Sequence, residues 1–256
     1  MIETITGKDN KKLKILASLS AKKGREKHGA YLVEGKRMVA EAAEYADVRF
    51  VVASETFYED NRSLVDGIAA KGISVFKTSD RLFLGVADTK TPQGIAAAVS
   101  LPPKEDFDPE KARKALVLDG VSEPGNMGTI IRTAEAAGID WIFLMKGCAD
   151  VYNPKVVRST MGSVFRMKFT YCEKSDELGV LKENGFKLIS SALKNSVDIH
   201  EYKNGGEKTA VVIGSEAFGV SREVLVMSDI LVRIPMSGKV ESLNAAVAAG
   251  ILMYSL

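Results

Sequence analysis

The 26 residues that close the chain, Leu231–Leu256, read LVRIPMSGKVESLNAAVAAGILMYSL and hold no charge after Glu241. An apolar run, Leu231–Met236, enters a short loop with Gly238, Lys239 and Glu241, and a helical pattern starts at Ser242. A helix on the surface of a soluble protein shows a polar face; this one offers only Ser242, Asn244 and Ser255. It is also shorter than the ~20 residues that cross a bilayer. The pattern predicts a helix buried on most sides, against the chain's own body or a second subunit. Helix N-termini carry unpaired N–H groups and partial positive charge, so Ser242 and Asn244 stand where a ligand would meet the fold.

Upstream of that tail, strands and helices alternate. Strands are predicted at 115–118, 141–145, 165–170, 186–190, 209–213 and 230–234. Helices are predicted at 127–137, 154–160, 176–183, 221–227 and 242–254. The runs ALVLD, WIFLM and TAVVIG are almost continuously apolar, as in strands covered on both faces of a parallel sheet. Such open sheets take ligands beyond the carboxyl ends of their strands. The first hundred residues also alternate: a basic helix at 10–19, a polar loop at 22–29, strands at 31–33, 48–53, 73–76 and 95–101, and helices from Gly35, at 57–70 and from Ser79. Between the halves, Pro102-Pro103-Lys104-Glu105-Asp106-Phe107-Asp108-Pro109 has three prolines in eight residues, which marks a stiff connection. The organisation expected is α/β throughout: a small N-terminal domain over 1–101, a linker at 102–112 and a parallel-sheet domain over 113–256.

Composition narrows the function classes. A chain of 256 residues, 46% hydrophobic and 27% charged, is an ordinary globular chain. Its two cysteines, Cys148 and Cys172, form no CxxC pair, and its two histidines lie far apart, so no metal site is expected. Lone thiols suit a reducing compartment. The opening MIETITGKDNKK lacks the apolar core of a signal peptide. Together these point to a cytoplasmic chain without a membrane segment. Net charge is +2, but residues 1–30 hold eight Lys/Arg against three acids, a local +5 that leaves −3 for the rest. Charge alone fits either a solvated helix face or contact with phosphates.

Three polar constellations each follow a predicted strand. After ALVLD comes GVSEPGNMGTIIRTAEAAG, with turn chemistry at Pro124-Gly125-Asn126 and Arg132 inside the following helix. After TAVVIG come Gly214-Ser215-Glu216-Ala217-Phe218-Gly219. The third is the closing stretch itself. Taken singly, Asn126 reads equally as a helix cap, Arg132 as a surface residue, and Ile234 and Leu243 as core. Neither the dinucleotide-binding G-x-G-x-x-G nor the phosphate-binding G-x-x-x-x-G-K-[ST] is present.

Together, in this order, the three stretches resemble the signatures of the SpoU/TrmH family of RNA ribose 2′-O-methyltransferases, in the SPOUT superfamily. The first matches at Asn126, Gly128, Arg132, Thr133, Ala134 and Gly138, the second at Gly214, Glu216 and Gly219, and the third over Ile234–Ala248. A further stretch, NPKVVRSTMGSVFRM, is similar to one in the family, although many relatives read R-A-S where this chain has Arg158-Ser159-Thr160. YLVEGKRMVAEA resembles the substrate-binding domain that precedes the catalytic domain in many relatives, itself similar to a ribosomal-protein-like RNA-binding fold.

The resemblance implies a C-terminal trefoil knot, S-adenosylmethionine as methyl donor, and a homodimer formed through the C-terminal domain. It implies catalytic roles for Asn126, Arg132, Glu216, Ser242 and Asn244, and donor contacts at Gly214, Ile234, Met236 and Leu243. RNA contacts are expected at Lys11, Lys12, Lys14, Arg25 and Arg158. The substrate expected is ribosomal RNA ahead of transfer RNA. The alternative from another class is a non-catalytic RNA-binding module of the same fold.

Overall fold

The computed structural model describes residues 2–203, 205–240 and 242–255. The chain forms two compact units: Met1–Pro103 with Val151–Arg166, and Lys104–Asp150 with Met167–Leu256.

The first unit contains β1 (Glu3–Ile5), α1 (Lys11–Ser18), α2 (Lys22–His28), β2 (Ala30–Glu34), α3 (Lys36–Tyr45) and β3 (Val48–Ser54). It continues with α4 (Glu55–Asp60), α5 (Arg62–Ala70), β4 (Val75–Thr78), α6 (Asp80–Leu84) and β5 (Ile95–Ser100). The strands form a mixed sheet in the order β1-β4-β3-β5-β2, with β5 antiparallel to both β3 and β2. One face is closed by Leu13, Leu16 and Leu19 of the α1 region, packed with Leu32, Phe50, Val52 and Phe83. Ala17, between them in sequence, is exposed.

Residues 22–29 form a helix instead of the polar loop expected. Gly29 ends it in the left-handed conformation, φ 56°, a cap that glycine adopts without a Cβ penalty. Arg25 is 4% exposed, and its Nη1 donates to Leu19 O at 3.0 Å and Ser20 O at 2.9 Å. These carbonyls lie just beyond α1, so the guanidinium ties two helices together and is turned inward, not free for the RNA contact expected of it. The helix expected at 57–70 is two helices, α4 and α5, parted at Asn61 (φ −134°).

The second unit contains β6 (Lys114–Asp119), α7 (Pro124–Ala136) and β7 (Trp141–Met145). α8 (Pro154–Ser159) belongs with the first unit, where it packs on β2 and where Tyr31 and Tyr152 stack at 4.8 Å. The second unit resumes with β8 (Phe169–Cys172), α9 (Gly179–Glu183), β9 (Phe186–Ser191) and β10 (Val197–Asp198). It ends with β11 (Lys208–Gly214), α10 (Arg222–Met227), β12 (Ile230–Arg233) and α11 (Ala245–Ser255). The seven strands run in the order β10-β12-β9-β11-β6-β7-β8, every pair parallel. Continuous apolar runs in the sequence anticipated that arrangement.

Compactness divides the chain differently from the expected 1–101, 102–112 and 113–256. Residues 151–166 join the first unit, and the presumed linker joins the second from Lys104 onward. Phe107 explains the latter: its ring meets Trp141, Phe143 and Phe186 edge-on at 5.4, 5.1 and 5.8 Å. Among the described residues, no helix is long and apolar enough to cross a membrane. Arg25→Ala leaves one buried and one half-buried carbonyl without their charged donor, a loss of about 1.5–3 kcal/mol. Thermal unfolding of this variant is expected several degrees below wild type, and an unchanged transition would show that Arg25 does not join α1 to α2.

Candidate functional site

In the second unit the chain leaves β6 toward β7 on one side, whereas from β11 it passes through α10 to β12 on the other. Adjacent strands whose connections diverge in this way open a crevice beyond their carboxyl ends. Gly214, the last residue of β11, lies in register with Asp119, the last of β6. The first two constellations therefore leave the sheet side by side.

Each exit is pinned. Asp119 Oδ2 accepts from the Ser221 backbone N–H at 2.7 Å. Glu123 caps α7, its Oε2 accepting from Asn126 N at 2.6 Å, with Pro124 in the first helical position. The exit from β11 folds back on itself, with Ser215 and Gly219 exchanging backbone hydrogen bonds of 3.0 and 2.9 Å. This closure demands glycine at 214, where a Cβ would lie 2.0 Å from the carbonyl carbon of Gly219.

The tail meets these loops. α11 starts at Ala245 rather than Ser242, because Asn244 caps it: Asn244 Oδ1 accepts from Ala246 N at 2.9 Å and Val247 N at 3.3 Å. Asn244 Nδ2 donates to Asn126 Oδ1 at 2.9 Å, and Asn126 Nδ2 donates to Glu216 Oε1 at 2.7 Å. One residue from each constellation thus joins a single hydrogen-bonded chain. Its polarity is determined at both ends, since the helix N–H groups require an oxygen and the carboxylate requires a donor.

The other candidate residues are distributed as follows. Arg132 is exposed and makes no hydrogen bond or ion pair among the described residues. The Asn126 amide is bonded to Glu216 and Asn244. Ser242 is exposed, Gly214 buried, and Ile234, Met236 and Leu243 half-buried. The backbone groups of those three half-buried residues form no hydrogen bond among the described residues. Unpaired backbone donors and acceptors amid apolar side chains fit the hydrogen-bonding edge of a nucleoside.

In the first unit, Lys11 and Lys14 are exposed, Lys14 pairing with Asp9 at 2.8 Å, and Lys12 lies over the Phe50 ring at 4.6 Å. Arg158 differs from the expectation of a free RNA contact: its Nη1 pairs with Asp88 at 2.7 Å. A groove of about 790 Å³ in the first unit, lined by Lys36, Arg37, Asn61 and Gln93 among others, holds none of the hydrogen-bonded set. In the second unit Cys148 is a packing residue, its thiol bonded to Leu118 O and pushed up to about 11 by burial.

Sequence reading did not single out Glu123, Asp119 or Ser215, the residues that hold the loops. Glu123 had a signal, an acidic residue directly before a proline that opens a helix.

An open parallel sheet with a polar relay at its switch point defines an α/β enzyme with its site beyond the strand ends. Residues 113–254 match the SpoU rRNA methylase family, and residues 10–97 match the MRM3-like substrate binding domain. The chain is 35% identical to the Bacillus subtilis (strain 168) 23S rRNA (guanosine(2553)-2′-O)-methyltransferase RlmP, over 100% of this chain and 99% of that protein. Among solved structures it resembles an AdoMet-bound rRNA methyltransferase from Sinorhizobium meliloti, with TM-score 0.87, 27% identity and 99% and 97% of the two chains covered. It also resembles the SpoU methyltransferase AviRb from Streptomyces viridochromogenes in complex with AdoMet, with TM-score 0.82, 25% identity and 96% of each chain covered. The chain belongs to the SpoU rRNA methylase family, and as an enzyme it is an RNA 2′-O-methyltransferase.

Asn244 has two tasks that substitution separates. Asn244→Asp keeps an oxygen for the helix cap but loses the donor to Asn126; Asn244→Ala loses both. Methylation is expected to fall in both variants, while only Asn244→Ala loses about 1 kcal/mol of stability. Wild-type turnover by Asn244→Asp would show the relay to be dispensable.

Proposed function

We propose that this enzyme transfers the methyl group of S-adenosylmethionine to a ribose 2′-hydroxyl of large-subunit ribosomal RNA in the cytoplasm. The observation that carries the site assignment is the hydrogen-bonded chain Asn244–Asn126–Glu216, which gathers one residue from each constellation. Full-length similarity to a 23S rRNA methyltransferase supports the substrate class, and AdoMet in two structural neighbours supports the donor. In the division of labour proposed, residues 1–101 bind RNA, with Lys11, Lys12 and Lys14 meeting phosphates, 102–112 connect, and 113–256 catalyse. With its guanidinium held by Asp88, Arg158 reaches RNA only by exchanging that carboxylate for a phosphate.

When bound, the donor supplies a methyl group on a positively charged sulfur. Gly214, Ile234 and Leu243 would hold it through backbone groups, with Met236 nearby. Methyl transfer to the ribose 2′-hydroxyl would release a proton, for which water or a phosphate oxygen is the acceptor. A guanidinium is a poor proton acceptor, so Arg132 acts by stabilising the developing alkoxide and not as a base. Glu216, Asn126 and Asn244 fix the loops around that reaction, and Ser242 contacts the substrate.

A trefoil knot fits the route of the tail. β12 lies next to the edge strand of its sheet, yet α11 packs back on α7 and β11, across β9. α11 also leaves Val247 and Tyr254 51% and 67% exposed, with the half-buried Ile251 between them. These positions share one face of a charge-free helix, and we assign that face to the second subunit of a homodimer.

Ribose methylation mapped across total RNA, from cells with and without the gene, is expected to differ at a 23S rRNA nucleotide. A difference confined to transfer RNA, or none at all, would overturn the substrate class. In the purified enzyme, Arg132→Lys is expected to lose at least ten-fold in kcat with donor affinity retained, whereas near-wild-type kcat would rule out a guanidinium-specific role. Light scattering is expected to report a dimer for wild type and a shift toward monomer for Tyr254→Asp, and an unshifted dimer would place the interface elsewhere.

A further inference from the structure

Of the ten phenylalanines, Phe218 is the only exposed one among the described residues, at 93% exposure. It stands two residues after Glu216, at the tip of the loop that leaves β11. That loop is rigidly closed: Ser215 and Gly219 exchange backbone hydrogen bonds, Ser215 Oγ accepts from Phe218 N at 3.1 Å, and Gly219 turns the chain at φ 70°. Glu216 is tied in turn to Asn126. The backbone beneath the ring is therefore held by the same contacts that hold the relay. Exposing a phenyl ring to water is unfavourable, and here it is presented on a fixed support beside the reacting centre.

Other exposed aromatic side chains have different settings. Tyr45 lies under the Arg166 guanidinium at 4.9 Å, Tyr171 is on the edge strand β8, and Tyr254 belongs to α11. On the loop that carries Ser242, Val240 is also exposed, at 63%, so the loops flanking the relay both offer apolar surface. A nucleobase is the ligand that needs such surface: flat, apolar on its faces and polar at its edges. RNA is read at unstacked nucleotides whose bases settle on aromatic rings.

Resting on the reading of this site as a ribose methyltransferase centre, we propose that Phe218 is the stacking platform for a splayed base of the RNA, at or next to the nucleotide whose ribose is methylated. The ring holds that base while Arg132 and the relay address the sugar.

The test uses the full-length enzyme and unmodified 23S rRNA transcribed in vitro. Phe218→Ala and Phe218→Leu are expected to lower kcat/KM for RNA by roughly ten-fold, a stacked base's worth, with donor affinity and oligomeric state unchanged. Phe218→Tyr and Phe218→Trp are expected to restore most of it, because a planar π-face is what the base requires. Phe218→Trp also adds a reporter, since the one native tryptophan, Trp141, is 2% exposed; its indole fluorescence is expected to be quenched by the RNA. Quenching without any methylation by wild type would retain the platform and reject the methyltransferase reading. Active wild type, an unchanged kcat/KM in Phe218→Leu and no quenching would overturn the platform. A dimer that dissociates in Phe218→Ala would also overturn it and assign the ring to the second subunit.

Discussion

The site depends on the side-chain amide of Asn126. It accepts from one constellation and donates to another, standing between a carboxylate and a second amide that is itself bound to a helix terminus. Reverse its orientation and two oxygens face each other at one end and two N–H groups crowd at the other. The helix N–H groups of α11 prevent that reversal, because they admit only an oxygen from Asn244. Orientation thus propagates from a helix end, through two neutral amides, to Glu216.

The relay requires three loops to approach closely, and small residues permit it. Gly214 lets the β11 exit fold back within the space a methyl group would occupy. On the tail, α11 packs on α7, and its buried positions include the small Ala245, Ala246 and Ala249. The absence of charge in α11, conspicuous in the sequence, follows from this packing on one side and leaves an apolar stripe on the other. Buried apolar helix and exposed apolar stripe are consequences of the same composition.

Much of this was readable in the chain. Continuous apolar runs specified a parallel sheet, and the alternation of elements placed all three constellations at strand ends. What eluded sequence reading depended on distant partners. KKGREKH looks like a solvated loop because arginine is rarely buried; it becomes a helix anchor once Leu19 and Ser20 present their carbonyls. Phe107 sits in a proline-rich, charged stretch, and only the rings of Trp141, Phe143 and Phe186 give it a destination. Residues 151–166 look like one more element of the second half, yet they pack with the first unit. The family resemblance gave Asn126 a catalytic role, but its hydrogen-bond partners, Glu216 and Asn244, lie 90 and 118 residues further along the chain.

Neutral amides at the centre of the relay have a further consequence. Asn126 lies in the first turn of α7 and Asn244 caps α11, and from the α11 N–H groups to Glu216 every hydrogen bond of the relay is donated in the same sense, an alignment of N–H groups toward the carboxylate. Since neither asparagine titrates, this alignment persists across the working pH range. Arg132 stays outside the relay, exposed on α7. The two amides at the relay's centre neither gain nor lose protons, so they stand apart from the proton that methyl transfer releases. Such a separation keeps the geometry constant while the chemistry moves charge, which is what preorganised electrostatic stabilisation requires.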